Sequence, residues 1–275
     1  MLAATKTYHK DNHLELSIQI SLSGLSFCIL NHSTNTITAL KQLDFEKKLN
    51  PFEVLHKLEY QFSEEAVLQT TFNKVNVIHD NELSTLVPKK FFREDCLADY
   101  LKFNSKILKS DFIAYDDIPT NHSVNVYVPY ININNFIYDR FGSFTYKHFS
   151  TILIERILTS EKQSTNTKFF VNIDNDRFEI IVVKSGKLLL YNTFHYSTKE
   201  DFIYYVLFTA EQLQINPETL TLVFIGEIDN KDDLYIIAYK YIGFVFLGDR
   251  EDNYKYSINA QPQYNHSNFT LIHSF

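Results

Sequence analysis

A chain of 275 residues is long enough for one large domain or two lobes with separate cores, and 45% hydrophobic with 21% charged residues excludes a disordered chain. The formal net charge of −7, with only five of the 26 basic residues being Arg, disfavours a nucleic-acid surface. Only 6 Gly and 6 Pro occur, where average usage gives about 19 and about 14, so glycine-rich phosphate loops are scarce from the outset.

The first residues, Met1 to His13, lack the apolar core of a signal peptide. From Leu16 to Leu40 there is no Asp, Glu, Lys or Arg, but polar residues alternate with apolar ones, which predicts sheet and not a bilayer helix. Apolar residues fall at Leu16, Ile18, Ile20 and Leu22, then change phase to Leu25, Phe27 and Ile29 after Ser23-Gly24, a β-hairpin pattern. Asn31–Asn35 turns the chain into a third strand, Thr36–Phe45. Pro51 then opens a helix with Phe52, Leu55, Leu58 and Phe62 on one face. A buried strand, Val75–His79, and a helix near Asp95–Asn104 follow. Next come a strand within Asn121–Tyr130, a helix near Ile133–Phe141, a strand near Ser143–Phe149 and a helix near Thr151–Leu158.

The polar stretch Thr159–Thr167 reads as a linker and divides the chain into lobes 1–160 and 161–275. After it the pattern returns. Lys168–Asp174, Arg177–Lys184 and Lys187–Phe194 read as three strands joined at Asn175-Asp176 and Ser185-Gly186. Ser197-Thr198 caps a helix running to about Leu213, and Leu220–Gly226 is a buried strand. A helix near Asp229–Lys240 and a strand Gly243–Gly248 close the unit. Each half is therefore β-β-β-α-β-α.

This order resembles the two-lobed actin-like ATPase (ribonuclease H-like) α/β fold of actin, the heat-shock chaperone ATPases, sugar kinases and the bacterial pilus and secretion assembly proteins. The whole chain more closely resembles the bacterial, Bacteroidetes-type, domain-of-unknown-function 3822 family. The resemblance rests on LSIQISLSGLSFCIL at 16–30, LVPKKFF at 86–92, LADYLKF at 97–103 and VNIDNDRFEIIVVKSGKLLLYNTF at 171–194. It implies a nucleotide cleft at three places, and this sequence departs from the fold's active pattern at each.

Where an Asp-x-Gly-Gly-like turn is expected, the chain has Ser21-Leu22-Ser23-Gly24. At the second phosphate turn Asn172 stands for Asp, and Asp174 and Asp176 stand where glycines belong. After the later buried strand, Gly226 is followed by Glu227 in place of a second Gly. Carboxylates there oppose a triphosphate. The resemblance thus implies an actin-like fold whose nucleotide hydrolysis is lost, without cofactor, acting as a protein-interaction or assembly module in the cytoplasm. Its protein partner is unnamed by the sequence, and neither nucleic-acid binding nor membrane insertion is expected. The alternative is a weak ATP·Mg-binding switch or ATPase using Ser21, Ser23, Gly24, Asn172, Asp174, Gly226 and Glu227.

Other constellations read as structural. Asp174, Asp176 and Glu179 lack the spacing of a calcium loop and suggest a hairpin tip with solvated acids. The pairs His9/His13 and His266/His273 lie in terminal stretches and read as solvated tails. Lys89–Arg93 interleaves cations with Phe91 and Phe92 but leads into Glu94-Asp95, which suits a helix entry. Tyr204, Tyr205 and Phe208 lie on a helix apolar nearly all round, which predicts burial. Cys28 and Cys96 read as separate structural thiols in a reducing compartment, and Tyr254–Phe275 either packs back across a lobe or offers a strand to a partner.

Overall fold

The computed structural model describes residues 13–275. His9 lies outside them. The first alternation forms an antiparallel meander of β1 (Leu14–Ile20), β2 (Gly24–Asn31) and β3 (Thr36–Asp44). Helix α1 (Pro51–Glu64) starts where Asn50 Oδ1 accepts the Phe52 and Glu53 N–H groups and the Glu53 carboxylate accepts the Asn50 N–H, a capping box that fixes its first turn. Strand β4 (Lys74–His79) then returns parallel to β1.

After β4 come β5 (Ser84–Pro88), the short α2 (Leu97–Leu101), β6 (Ala114–Ile118) and β7 (Ser123–Tyr127). Helix α3 (Ile131–Phe141), β8 (Thr145–His148) and α4 (Phe149–Ser160) complete the first half. The second half comprises β9 (Thr167–Ile173), β10 (Arg177–Lys184), β11 (Lys187–His195), α5 (Lys199–Gln212), β12 (Thr221–Gly226), α6 (Asp233–Tyr241) and β13 (Phe244–Leu247). Strand β14 (Lys255–Tyr256) and α7 (Phe269–Ile272) follow.

Two sheets share one topology. The first is ordered β14-β3-β2-β1-β4-β8 and the second β11-β10-β9-β12-β13, so β9 to β13 repeat β1 to β4 and β8 strand for strand. The bulges correspond too: Ile29/Leu30 in one meander and Val182/Val183 in the other, each the same distance beyond its tight turn. Both meanders lead into a helix with a capping box, Asn50/Glu53 and Thr198/Asp201.

Helix α4 lies between the sheets. Its Phe149, Leu153, Ile154 and Ile157 pack with Cys28 and Leu30 of β2, Ile181 and Val183 of β10, and Phe269, Leu271 and Ile272 of α7. Each large aliphatic side chain buried there contributes about 1.5–3 kcal/mol, so the two halves are joined through a shared apolar layer. A third sheet, β5-β7-β6, stands apart on its own small core of Val87, Leu101, Val124 and Val126.

Two expectations are corrected. Tyr204 and Phe208 are exposed and stack on each other, while Phe202, Ile203 and Val206 carry the buried face of α5; aromatic rings on the solvent side made that helix read as apolar all round. The tail histidines are not solvated. His266 is buried and its Nε2 donates to the Ile228 carbonyl at 2.7 Å, while His273 packs against Phe269, because 255–275 folds back onto the first sheet. Among the described residues no helix is long and apolar enough to cross a membrane.

Candidate functional site

Three turns face one another where the two sheets meet. In the first, Ile20 pairs with Leu25, so Ser21–Gly24 forms the tight turn. The Ser21 Oγ accepts the Ser23 N–H at 3.2 Å and the Gly24 N–H at 2.9 Å. The amides that a phosphate would approach in such a turn are therefore held by the turn's own hydroxyl.

The second turn is closed in the same manner. Ile173 pairs with Phe178, the Asp174 N–H donates to the Arg177 carbonyl at 3.0 Å, and the Asn175 N–H donates to Asp174 Oδ1 at 2.8 Å. At the third, the Gly226 N–H donates to the His266 carbonyl at 3.0 Å, and Glu227 Oε1 accepts the Asn268 N–H at 3.0 Å. Arg250 fixes the covering segment: its Nη1 donates to the Tyr264 and Ser267 carbonyls at 2.7 and 2.6 Å, and its Nε to Asp252 at 3.0 Å.

Gly226 has a structural reason of its own. Its φ is +91°, and a Cβ there would stand 2.4 Å from the Ile173 carbonyl oxygen, a contact that neither strand can yield without breaking the β9–β12 pairing. Gly226→Ala is expected to cost at least about 3 kcal/mol in chemical denaturation whether or not a nucleotide is present; a loss under 1 kcal/mol would show that the corner relaxes.

All seven residues singled out from the sequence, Ser21, Ser23, Gly24, Asn172, Asp174, Gly226 and Glu227, line a single cavity of about 90 Å³. Asp44, Asp80 and Arg177 line it as well. A neighbouring hollow of about 540 Å³ is bounded by Tyr196, Thr198 and Lys199 but also by Asp174, Glu200, Glu227, Asp232 and Asp233.

The group that spans the cleft is Arg177, at the start of β10. Its Nη2 pairs with Asp80, which follows β4 of the other sheet, and lies 3.2 Å from Asp174 Oδ2, while its Nε donates to Glu179 at 3.1 Å. The guanidinium also lies over the Phe149 ring, 5.2 Å from its centre. The chain of hydrogen bonds continues both ways. Gln19 Nε2 donates to Asp80 Oδ2 at 3.0 Å, the Thr270 hydroxyl donates to Gln19 Oε1 at 2.6 Å, and Asn172 Nδ2 donates to Glu179 Oε2 at 2.7 Å. Arg177, Asp80 and Glu179 are all buried.

Burial opposes the Arg177 charge, but Asp80, Glu179 and Asp174 together hold its pKa well above the ordinary value. Burial pushes the Glu179 carboxyl up to about 7 against the pull of Arg177, and burial with the nearby Asp80 charge raises Asp174. Glu179 is thus no solvated hairpin acid: it sits inside the sheet, and Asp174 is drawn in by the same arginine. No local pattern marks this buried arginine, since its partner Asp80 lies 97 positions away. One compositional signal pointed to it. In a chain with so few arginines, Arg177 and Arg250 are both buried in multiple hydrogen bonds, where a guanidinium fork serves and an ammonium does not.

Behind the cleft, His79 and His148 face each other across β4 and β8. His79 Nδ1 accepts the Tyr130 N–H at 3.2 Å and its Nε2 bonds Asn134 Oδ1 at 2.9 Å; His148 Nδ1 accepts the Ser150 N–H at 3.3 Å and its Nε2 donates to the Asn81 carbonyl at 2.9 Å. Both rings use one acceptor and one donor nitrogen, as a neutral imidazole must. Burial pushes His79 down to about 4 and His148 to about 3.

The sequence profile of the family described as Protein of unknown function (DUF3822) matches residues 3–245. The chain belongs to that family. No curated protein matches this DUF3822 chain. Among solved structures it is similar to a Bacteroides thetaiotaomicron VPI-5482 protein with actin-like ATPase fold and unknown function, at 24% identity and a TM-score of 0.78, over 89% of this chain and 94% of that one. It is also similar to a chain of the PilM-PilN type IV pilus biogenesis complex, at 9% identity and a TM-score of 0.59, over 94% and 96% of the two chains. The DUF3822 chain therefore has the actin-like ATPase fold, in agreement with the repeated sheet topology.

Proposed function

We propose that the protein is a non-catalytic actin-like module that has lost nucleotide hydrolysis and works by binding a protein partner or joining an assembly. The observation that supports this best is the self-satisfied cleft: turn amides held by Ser21, Asp174 and the 264–268 segment around a cavity of about 90 Å³. Small-molecule sites usually offer about 300–1,000 Å³. Asp44, Asp80, Asp174 and Glu227 line the same cavity against one arginine, and each extra like-charge contact near 4 Å opposes a phosphate by about 4 kcal/mol at an effective dielectric of 20. The chain of the PilM-PilN complex, of the same fold, is found with a protein partner, which fits this reading by analogy of fold. A cytoplasmic setting fits the two unpaired cysteines, Cys28 and Cys96.

A second reading, a weak ATP·Mg-binding switch, draws on the convergence of all seven candidate residues on one cavity beside a hollow large enough for a nucleoside. Calorimetric titration with Mg·ATP and Mg·ADP separates the two. No heat of binding up to millimolar nucleotide is expected. Micromolar binding that disappears in Ser23→Tyr, which fills the cavity from a half-buried turn position, would establish the switch instead.

A further inference from the structure

Adjoining the cleft, and sharing Ser23, Asp80 and Arg177 with it, is a groove of about 670 Å³, formed where the start of α1, the start of α3 and the approach to β6 meet. Three large apolar side chains open onto it and stay in water: Phe52 is 71% exposed, Leu108 64% and Ile131 45%. Scattered single apolar residues need no explanation, but three around one concave surface mark a binding face. Two of them are held rigidly, Phe52 in the capped first turn of α1 and Ile131 as the first residue of α3, so an occupant would meet a preformed surface.

The rim chooses the occupant. Glu82, Asp111 and Asp176 stand around the groove against Lys48, while Asp80 and Arg177 at its floor neutralise each other. The positive end of α1 is covered by its own Glu53 and Asn50, whereas that of α3 has no side-chain cap and offsets about half a charge; with Glu82 hydrogen-bonded to His195, the three carboxylates still outweigh Lys48 and that helix end. Charge complementarity therefore calls for cations beside the apolar contact.

We propose that this groove is the docking site for a short segment of a partner protein with apolar anchors flanked by Lys or Arg. The proposal rests on the interaction-module reading and names where and what the module binds.

The test pans the whole protein with a phage-displayed library of random dodecamers and titrates the enriched sequences, made as labelled peptides, by fluorescence polarisation. Enriched peptides are expected to pair apolar residues with Lys or Arg. Their affinity should fall at least about tenfold in Phe52→Ser and in Ile131→Ser. It should fall severalfold in Glu82→Lys/Asp176→Lys, and stay unchanged in Ile258→Ser, which alters a side chain 92% exposed elsewhere. All four variants replace surface side chains, so folding is preserved. No enrichment, enrichment of acidic peptides, or equal binding by Phe52→Ser and Ile131→Ser would overturn the proposal. So would displacement of the peptide by a fatty acid at lower concentration, or a dimer of this chain that Phe52→Ser abolishes. These outcomes are distinguished from the nucleotide titration by running both on the same protein: a failed groove leaves the non-catalytic reading standing, and Mg·ATP binding with peptide affinity retained removes that reading alone.

Discussion

Replacing Arg177 by alanine is expected to destabilise the protein by about 3–5 kcal/mol, the largest effect of any single polar substitution in the cleft. The variant leaves Asp80 and Glu179 buried without a cation, removes the partner of Asp174 and strips the guanidinium from the Phe149 ring. The attraction between these charges is not what makes the loss large. Two ions taken out of water lose much of their hydration, and the network only offsets that cost; removing one member exposes the cost of the others. The triple variant Asp80→Asn/Arg177→Met/Glu179→Gln should therefore recover most of the loss, since it keeps the volume and removes every buried charge but the partly exposed Asp174. Urea denaturation of the single and triple variants measures both. A single variant within 1 kcal/mol of the wild type would mean that water reaches the carboxylates and that the two sheets are not fastened there.

Acid stability carries the second large expectation, and two opposing groups set it. His79 and His148 have folded-state pKa values lowered to about 4 and about 3, against about 6.5 in an unfolded chain. Below pH 6.5 the unfolded chain takes up protons that the folded protein refuses, so stability falls with falling pH by up to about 1.4 kcal/mol per unit for each ring. Glu179 has the reverse sign. Its folded value is raised to about 7, so below pH 7 the folded state takes the proton first and stability rises by a similar slope until the unfolded carboxyl titrates near 4.3. Asp116 and Asp174, also raised, act in the same sense as Glu179. Glu179→Gln mimics the protonated form and removes its compensation. Between pH 6 and 5 the variant should lose stability more steeply than the wild type by about 1.4 kcal/mol per unit, read from urea midpoints at the two pH values. Equal slopes would mean that Glu179 ionises normally in the folded protein.

Most of the two large sheets was legible because β1 alternates apolar with polar residues, β4, β10 and β12 are short apolar runs, and the turns carry Ser-Gly or Asn-Asp steps. Even the first hairpin was nearly placed, although the turn is Ser21–Gly24 and not the Ser23-Gly24 pair alone. Of the third sheet only β7 was legible, as the strand within Asn121–Tyr130. Strand β6 reads AYDDI, and two consecutive acids argue for a loop. In the structure Asp116 is buried, accepting from the His148 N–H at 2.9 Å, the Thr151 hydroxyl at 2.8 Å and the Tyr127 hydroxyl at 3.1 Å. Tertiary partners override a propensity that no local pattern could reveal. The cleft was legible by resemblance alone: the residues converge, but Asp80, Gln19 and Arg177, which decide its character, carry no motif.

The return of 255–275 to the first sheet also governs the order in which the molecule can be completed. Thr270 bonds Gln19 across 251 positions of sequence, and Ser274 bonds Ser17 across 257. Contacts so remote form slowly, because the intervening chain must already be compact before its ends can meet cheaply. During synthesis both five-strand cores can be assembled while the cleft is still unsealed. The wall over Gly226 and Gln19 is therefore laid after both cores, and until residue 270 has emerged the nascent chain presents an open cleft that is later covered.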